Sequence, residues 1–183
     1  ETFSKNNLRL QIEHCAAQKF YVQWKYEELK DLILTPPTYV EQHRSWRFKT
    51  ISHPEITEIG KLFYRNHRKI VPDNLEKILT PIGLAVWFMD DGAKHSVGYL
   101  VNTQSYTHEE CERIQVIVYK LFDLETTLHK DHKGWRLYIK SNSVNKFRRI
   151  VEPFLLDKMK YKIGEPRRDY TLAPSTHLQC AQG

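Results

Sequence analysis

The sequence predicts an α+β protein made of two similar halves. Three observations carry that prediction. Short segments that alternate apolar and polar residues are interleaved with helical patterns. The segment "SWRFKTISHPEI" (Ser45 to Ile56) is echoed by "GWRLYIKSNSVNKF" (Gly134 to Phe147), a faint internal repeat in which a Trp-Arg pair opens a strand that runs into a helix. Between the two copies lies one helix without a polar face, Thr80 to Asp91. With 183 residues, 40% of them apolar, the chain is long enough for one well-buried core or two small halves sharing one.

Each element follows from local pattern. "LRLQIEH" (Leu8 to His14) alternates as a half-buried strand does. "AAQKFYVQWKYEELKDLIL" (Ala16 to Leu34) predicts a helix with Phe20, Trp24 and Leu32 near one face. "PPTYVEQHRSWRFKTI" is a hairpin, and "EITEIGKLFY" the helix after it. The second copy repeats the order. "GYLVNTQS" (Gly98 to Ser105) is a strand, and "THEECERIQVIVYKLF" a helix with a Thr107/Glu110 capping box and an inner line of Cys111, Ile114, Val118 and Leu121. The hairpin "ETTLHKDHKGWRLYIK" and the helix "VNKFRRIVEPFLL" complete it. The order is β-α-β-β-α twice, with Pro36-Pro37 and Asp131 to Gly134 as turns. The stretch from Glu165 has little periodicity and reads as an extended arm.

A formal charge of +6 is more than a neutral-substrate enzyme requires and draws the chain toward a polyanion such as a nucleic acid. Cys15, Cys111 and Cys180 show no paired C-x-x-C spacing and read as ordinary thiols in a reducing compartment. The histidines, among them His14, His43, His53, His108, His129 and His132, are scattered and suit surface or hydrogen-bonded roles. Trp46 and Trp135 hold repeat-related positions that suit sheet packing. No apolar run approaches the ~18 residues needed to cross a bilayer. The chain opens on Glu1, not Met, so an upstream segment is expected.

The central helix carries the chemistry. Thr80 before Pro81 is a helix-start signature, and Gly92 suits the residue just past the end. Ile82, Leu84, Ala85, Val86, Trp87, Phe88 and Met89 predict burial on every side. Such a helix delivers Asp90 and Asp91 to its own C-terminus, where the dipole opposes negative charge by a few tenths of a kcal/mol. A divalent metal is the simplest compensation. The plainer alternative is an Asp-Asp-Gly turn that caps a loop. On the strands, Arg9, Gln11, Arg47, Lys49, Arg136, Tyr138 and Lys140 offer long polar side chains that fit a major groove. A solvated outer face is their alternative role.

The block "LAVWFMDDG" (Leu84 to Gly92) resembles the motif of the LAGLIDADG homing endonucleases, in the spelling of their single-chain, organellar intron-encoded branch. "RKIVPDNLEKILTP", "LVNTQSYT" and "LLDKMKYKIG" look like that branch too, so the likeness runs from about Thr2 to Gly164. The resemblance implies two α-β-β-α-β-β-α halves related by a pseudo-twofold, two antiparallel saddle-shaped sheets astride a long double-stranded DNA site, and two central helices that each end in a metal-binding acid. It divides the chain into an N-terminal half 1–79, a C-terminal half 80–164 with the motif helix 80–91, and a tail 165–183. By position, Asp91 would bind catalytic magnesium and Lys69 and Lys162 would sit near the scissile phosphates, while Asn102 and Gln104 join Arg47, Lys49, Arg136 and Lys140 on strands facing the duplex.

Three departures are visible: Val86 stands at the close-contact glycine, Met89 at the first acid and Asp90 at a small residue. "ETFSKNN" is similar to the segment just after the family's first motif, so the first central helix and its carboxylate are expected to be absent from this chain. The implied function is site-specific, magnesium-dependent cleavage of both DNA strands in intron homing, inside a mitochondrion or chloroplast and without membrane partners. A complete chain would act as a monomer, an incomplete one in association with another chain. The alternative is a cleavage-deficient relative that binds intron or ribosomal RNA as a splicing maturase or ribonucleoprotein subunit, with Arg167 and Arg168 in a basic arm.

Overall fold

The alternation that begins at Leu8 becomes a regular strand at β1 (Gln11–Cys15) in the computed structural model, which describes residues 7–164. After a 3-10 turn the chain forms α1 (Lys19–Leu29), β2 (Thr38–Val40), β3 (Ser45–Lys49) and α2 (Pro54–Phe63). A two-stranded ribbon, β4 (Tyr64–Arg65) and β5 (Arg68–Lys69), and the single turn α3 (Leu75–Ile78) lead to α4 (Pro81–Asp91). Then come β6 (Gly92–His95), β7 (Gly98–Asn102), α5 (His108–Phe122), β8 (Thr126–Asp131), β9 (Gly134–Ile139) and α6 (Val144–Val151). A last 3-10 stretch spans Asp157–Lys162.

Both larger sheets are antiparallel: β1-β3-β2 in the first part and β6-β7-β9-β8 in the second. The Trp-Arg strands of the sequence repeat, β3 and β9, are the inner strands around which each sheet is arranged. The expected tail 165–183, with Arg167 and Arg168, lies outside the described residues. Among the described residues no helix is long and apolar enough to cross a membrane.

The core gathers around α4. Leu84, Ala85, Phe88 and Met89 are buried against α6 and the second sheet, where the Phe88 ring meets Tyr99 and Phe147 edge-on at 5.4 and 5.0 Å. Deep burial of such rings stabilises by ~1.5–3 kcal/mol each. The capping box of α5 is present, and Cys111, Ile114 and Val118 are buried as their spacing predicts.

Several expectations need correction. The central helix is not buried on every side. Ile82 is exposed, and Val86 and Trp87 are half-buried because they line an apolar trough that no described element fills. Gly92 is not left-handed: its φ of −92° and ψ of 155° start β6 directly. Glycine is required there by space, since a Cβ would lie 2.0 Å from the Phe88 ring and 2.6 Å from the Phe88 carbonyl oxygen. In the 16–34 segment only the middle is α-helix, and its buried residues are Tyr21 and Val22, with Phe20 and Trp24 at the edge. Leu121 is 37% exposed on the outer side of α5. Finally, β1 begins after Arg9 and β7 ends at Asn102, which leaves Arg9 ahead of its strand and Gln104 in a turn.

Candidate functional site

The end of α4 is where the two parts of the chain meet. Thr80 caps the helix start by accepting from the Gly83 amide at 3.2 Å, which fixes where the helix begins and therefore where Asp90 and Asp91 end it. Asp90 accepts a hydrogen bond from Lys25 Nζ of α1 at 2.8 Å, and His14 of β1 lies 3.8 Å away. Asp91 is half-buried and no described residue donates a hydrogen bond to it. Burial pushes its carboxyl up, opposed by the charge of Lys69 and reinforced by that of Asp90.

Lys69, on β5, stands over the Tyr106 ring at 5.5 Å from its centroid. Burial raises the Tyr106 phenol above its ordinary value, against the opposing pull of Lys69. Lys162 reaches α4 from the last 3-10 stretch, donating to the carbonyls of Met89 at 2.5 Å and Gly92 at 3.0 Å. Burial pulls its ammonium below the usual lysine value, against the charges of Asp90 and Asp91. The three residues expected to act together, Asp91, Lys69 and Lys162, thus converge from α4, β5 and the C-terminal 3-10 stretch.

A divalent cation fits this place on the chemistry of Asp91. The carboxylate is half-buried, carries a like charge beside it and has no hydrogen-bond donor among the described residues, so an oxygen-seeking cation would supply the direct contact that the charges of Lys69, Lys162 and Lys25 do not. Among the described residues, no group of three or more His, Cys, Asp or Glu forms a complete metal cage. Beside Asp90 and Asp91 runs a trough of about 370 Å³ lined by Phe63, Val71, Ile78, Leu79, Val86 and Trp87. It adjoins a second of about 850 Å³, sharing Phe63 and Lys69 with it.

The polar sheet faces extend outward from this centre. In the second sheet, strand alternation puts Leu137 and Ile139 in the core and Arg136 and Tyr138 on the opposite face, level with Asn102. Arg136 pairs with Asp131 at 2.8 Å, and Gln104 donates to the same carboxylate at 2.7 Å. Tyr138 stacks on His129 at 4.6 Å, and a Cβ at Gly98 would meet its hydroxyl at 2.6 Å. Lys140 follows β9 and pairs with Glu125 at 3.2 Å. In the first sheet Gln11 lies opposite Lys49, and Glu13 opposite Arg47. Glu13 accepts from Ser45 at 2.5 Å and His43 at 3.0 Å, interactions that hold its carboxyl below the usual range.

Sequence reasoning misses Lys25, Tyr21 and Tyr106, and gives His14 only a generic role. Nothing in the linear order joins His14 and Lys25 to Asp90, which lies 65 residues beyond Lys25. Glu110 is half of the expected capping box, yet it also receives both arms of the Arg68 guanidinium, at 2.9 and 3.1 Å, and so holds the ribbon that carries Lys69.

Comparison with known proteins bears on this geometry. The family model described as the LAGLIDADG DNA endonuclease family matches residues 1–147. The chain is 28% identical over 120 residues to the cytochrome b mRNA maturase bI2 of Debaryomyces hansenii, covering 64% of this chain and 46% of that protein. It therefore spans less than half of that relative's length. It is 29% identical to the DNA endonuclease I-ChuI of Chlamydomonas applanata, over 88% of this chain and 86% of the relative. Among solved structures it is similar to the homing endonuclease I-WcaI bound to its DNA recognition sequence, with a TM-score of 0.79, 25% identity, and coverage of 89% of this chain and 78% of that one. I-DmoI in complex with DNA and Mn shares the fold, with a TM-score of 0.56 at 13% identity over 85% of this chain and 88% of that one. Central helix, paired sheets and matched sequence agree: the chain belongs to the LAGLIDADG DNA endonuclease family.

Proposed function

We propose that the chain is a site-specific, magnesium-dependent endonuclease that hydrolyses both strands of a long DNA site, as intron homing requires. The observation that carries this reading is Asp91, a half-buried carboxylate without a donor among the described residues at the end of an apolar helix, with Lys69 and Lys162 converging on it. Asp91 would hold the cation, which supplies charge stabilisation for the attacking and leaving oxygens when bound. Lys69 and Lys162 place positive charge where the phosphate becomes more negative. Arg9, Gln11, Arg47, Lys49, Asn102, Gln104, Arg136, Tyr138 and Lys140 read and hold the duplex, and the Asp131 carboxylate pre-orients Arg136 for the edge of a guanine.

Cleavage of two strands needs a second carboxylate close to Asp91. We assign it to an apolar helix that would seat in the trough along Val86 and Trp87. The similarity to intron-encoded endonucleases and to a cytochrome b mRNA maturase favours a mitochondrion or chloroplast as the compartment.

The test is cleavage of a library of randomised targets in magnesium, followed by recovery of the cut sequences. Asp91→Asn should reduce cutting to background with folding intact, and chelation should do the same to the unaltered chain. The maturase relative favours a second reading, splicing-associated binding of intron RNA. Tight RNA binding that is indifferent to Asp91→Asn, with no cut sequence recovered, would establish that reading in place of the first.

A further inference from the structure

Two adjacent carboxylates end α4, and they are held in opposite ways. Asp90 is engaged by Lys25, whose side chain is only 11% exposed. The Lys25 ammonium has three protons and three partners. It lies 2.8 Å from Asp90 Oδ1, 3.1 Å from His14 Nε2, and 4.2 Å from the centroid of the Tyr21 ring. Because Lys25 can only donate, His14 Nε2 must accept, which fixes a neutral ring with its proton on Nδ1. Burial, together with the charge of Lys25, holds the imidazole below its ordinary value, in keeping with that tautomer.

The same group ties the first part of the chain to α4 through a second contact, the Tyr21 hydroxyl donating to the Val86 carbonyl at 3.5 Å. On the other side Lys162 fixes the backbone around Asp91 through the Met89 and Gly92 carbonyls. Backbone and neighbour are therefore restrained while Asp91 itself keeps its oxygens unmatched among the described residues. Lys25 makes the shortest polar contact to Asp90, at 2.8 Å against 3.8 Å for His14, and the only full positive charge among these contacts.

We propose that Lys25, supported by His14, is a positioning residue that occupies Asp90 and so leaves Asp91 as the carboxylate at this helix end that binds a cation. The proposal rests on the nuclease reading above and extends it to residues that touch neither substrate nor metal.

Terbium, a hard oxygen-seeking ion whose emission is sensitised by nearby tryptophan, tests it on the full chain without a DNA target, since Trp87 lines the same trough as Asp91. Emission lifetimes in light and heavy water count the waters left on the ion. Asp91→Asn should abolish sensitised emission, whereas Asp90→Asn should leave the water count unchanged and shift the midpoint by less than about threefold. Lys25→Met frees Asp90, so it should tighten binding about tenfold, the scale of one added charge at contact, and displace at least one water. Lys25→Met with Asp90→Asn should restore the original count, and Lys25→Arg should behave as the unaltered chain.

Thermal unfolding of the unaltered chain, Lys25→Met, Asp90→Asn and the double variant gives a double-mutant cycle that reports whether the bridge exists in solution. Zero coupling, an unchanged water count in Lys25→Met, or loss of terbium in Asp90→Asn as complete as in Asp91→Asn would each overturn the proposal while leaving a cation site standing. Absence of terbium binding by the folded, unaltered chain would instead overturn the cation reading itself.

Discussion

Glu110 shows what one residue contributes beyond its local role. Its carboxylate accepts from the Thr107 amide at 2.8 Å, the Val71 amide at 3.3 Å and both arms of Arg68. Burial pushes the carboxyl up, but the Arg68 fork and the two amides outweigh it and leave the group below its ordinary value of 4.5. A carboxylate depressed in the folded state stabilises above its unfolded value and loses that contribution as pH falls through the folded one. Glu110→Gln should therefore cost about 1–3 kcal/mol at neutral pH, with half-exposed Arg68 keeping the figure toward the lower end. The gap to the unaltered chain should close progressively below pH 4.5. Denaturant melts at several pH values measure this. A gap that stays constant with pH would remove the charge from the account. At Arg136 the contrast is with specificity: Arg136→Ala should relax base choice at one position by about 1–3 kcal/mol in a selection of bound sequences, with little loss at other positions.

At the scale of elements, α4 decides the geometry of the site, and its C-terminal junction is its weak point. Gly92 admits no side chain because the Phe88 ring fills the space, and that ring is locked between Tyr99 and Phe147. Gly92→Ala should destabilise by about 1–3 kcal/mol through overpacking, and Gly92→Asn should be no better. A turn that merely needed a left-handed residue would accept Asn more readily than Ala, so equal or greater damage by Asn separates the two explanations in a thermal melt. At the other end, Thr80→Ala should cost about 1 kcal/mol for the lost cap, shortening the helix from the end remote from Asp91.

The whole molecule carries a formal charge of +6, with basic side chains set along the outer faces of two sheets. Attraction of that kind works by counterion release, so nucleic-acid affinity should fall by about 10³–10⁵ between 50 and 200 mM salt if six to ten phosphates are neutralised. Filter binding across a salt series measures the slope, and a flat line would remove the electrostatic basis of the interface. Lys49→Glu should weaken all sequences alike and lower the slope, unlike Arg136→Ala. The two adjoining troughs, the smaller of them beside α4, belong to this scale too. Ile59, Phe63, Ile78, Val86 and Trp87 leave an apolar surface open along these troughs, and the helix proposed to carry the second carboxylate would cover the part along Val86 and Trp87.

By itself the sequence determined the α+β class, the main helices and strands and the place of the carboxylates, because these rest on local rules; its β-α-β-β-α order lacks the β4-β5 ribbon, the turn α3 and strand β6, which are too short for a periodic signal. Alternation makes strands, Thr80-Pro81 starts a helix, and a helix of fixed rise ends where its last residues are. The family resemblance of the motif and its flanking segments then pointed to Asp91, Lys69 and Lys162 as a set. Tertiary structure alone decided which apolar face of α4 is buried, since Leu84 and Val86 are equally apolar and only the elements packed around them differ. It alone decided why Gly92 is glycine, since Phe88 blocks the space from a turn away. It alone gave the two aspartates different surroundings: Asp90 meets Lys25 and His14 from distant parts of the chain, and Asp91 meets no donor among the described residues. Contacts between residues far apart in sequence arise from packing, and packing leaves no periodic trace in a single sequence.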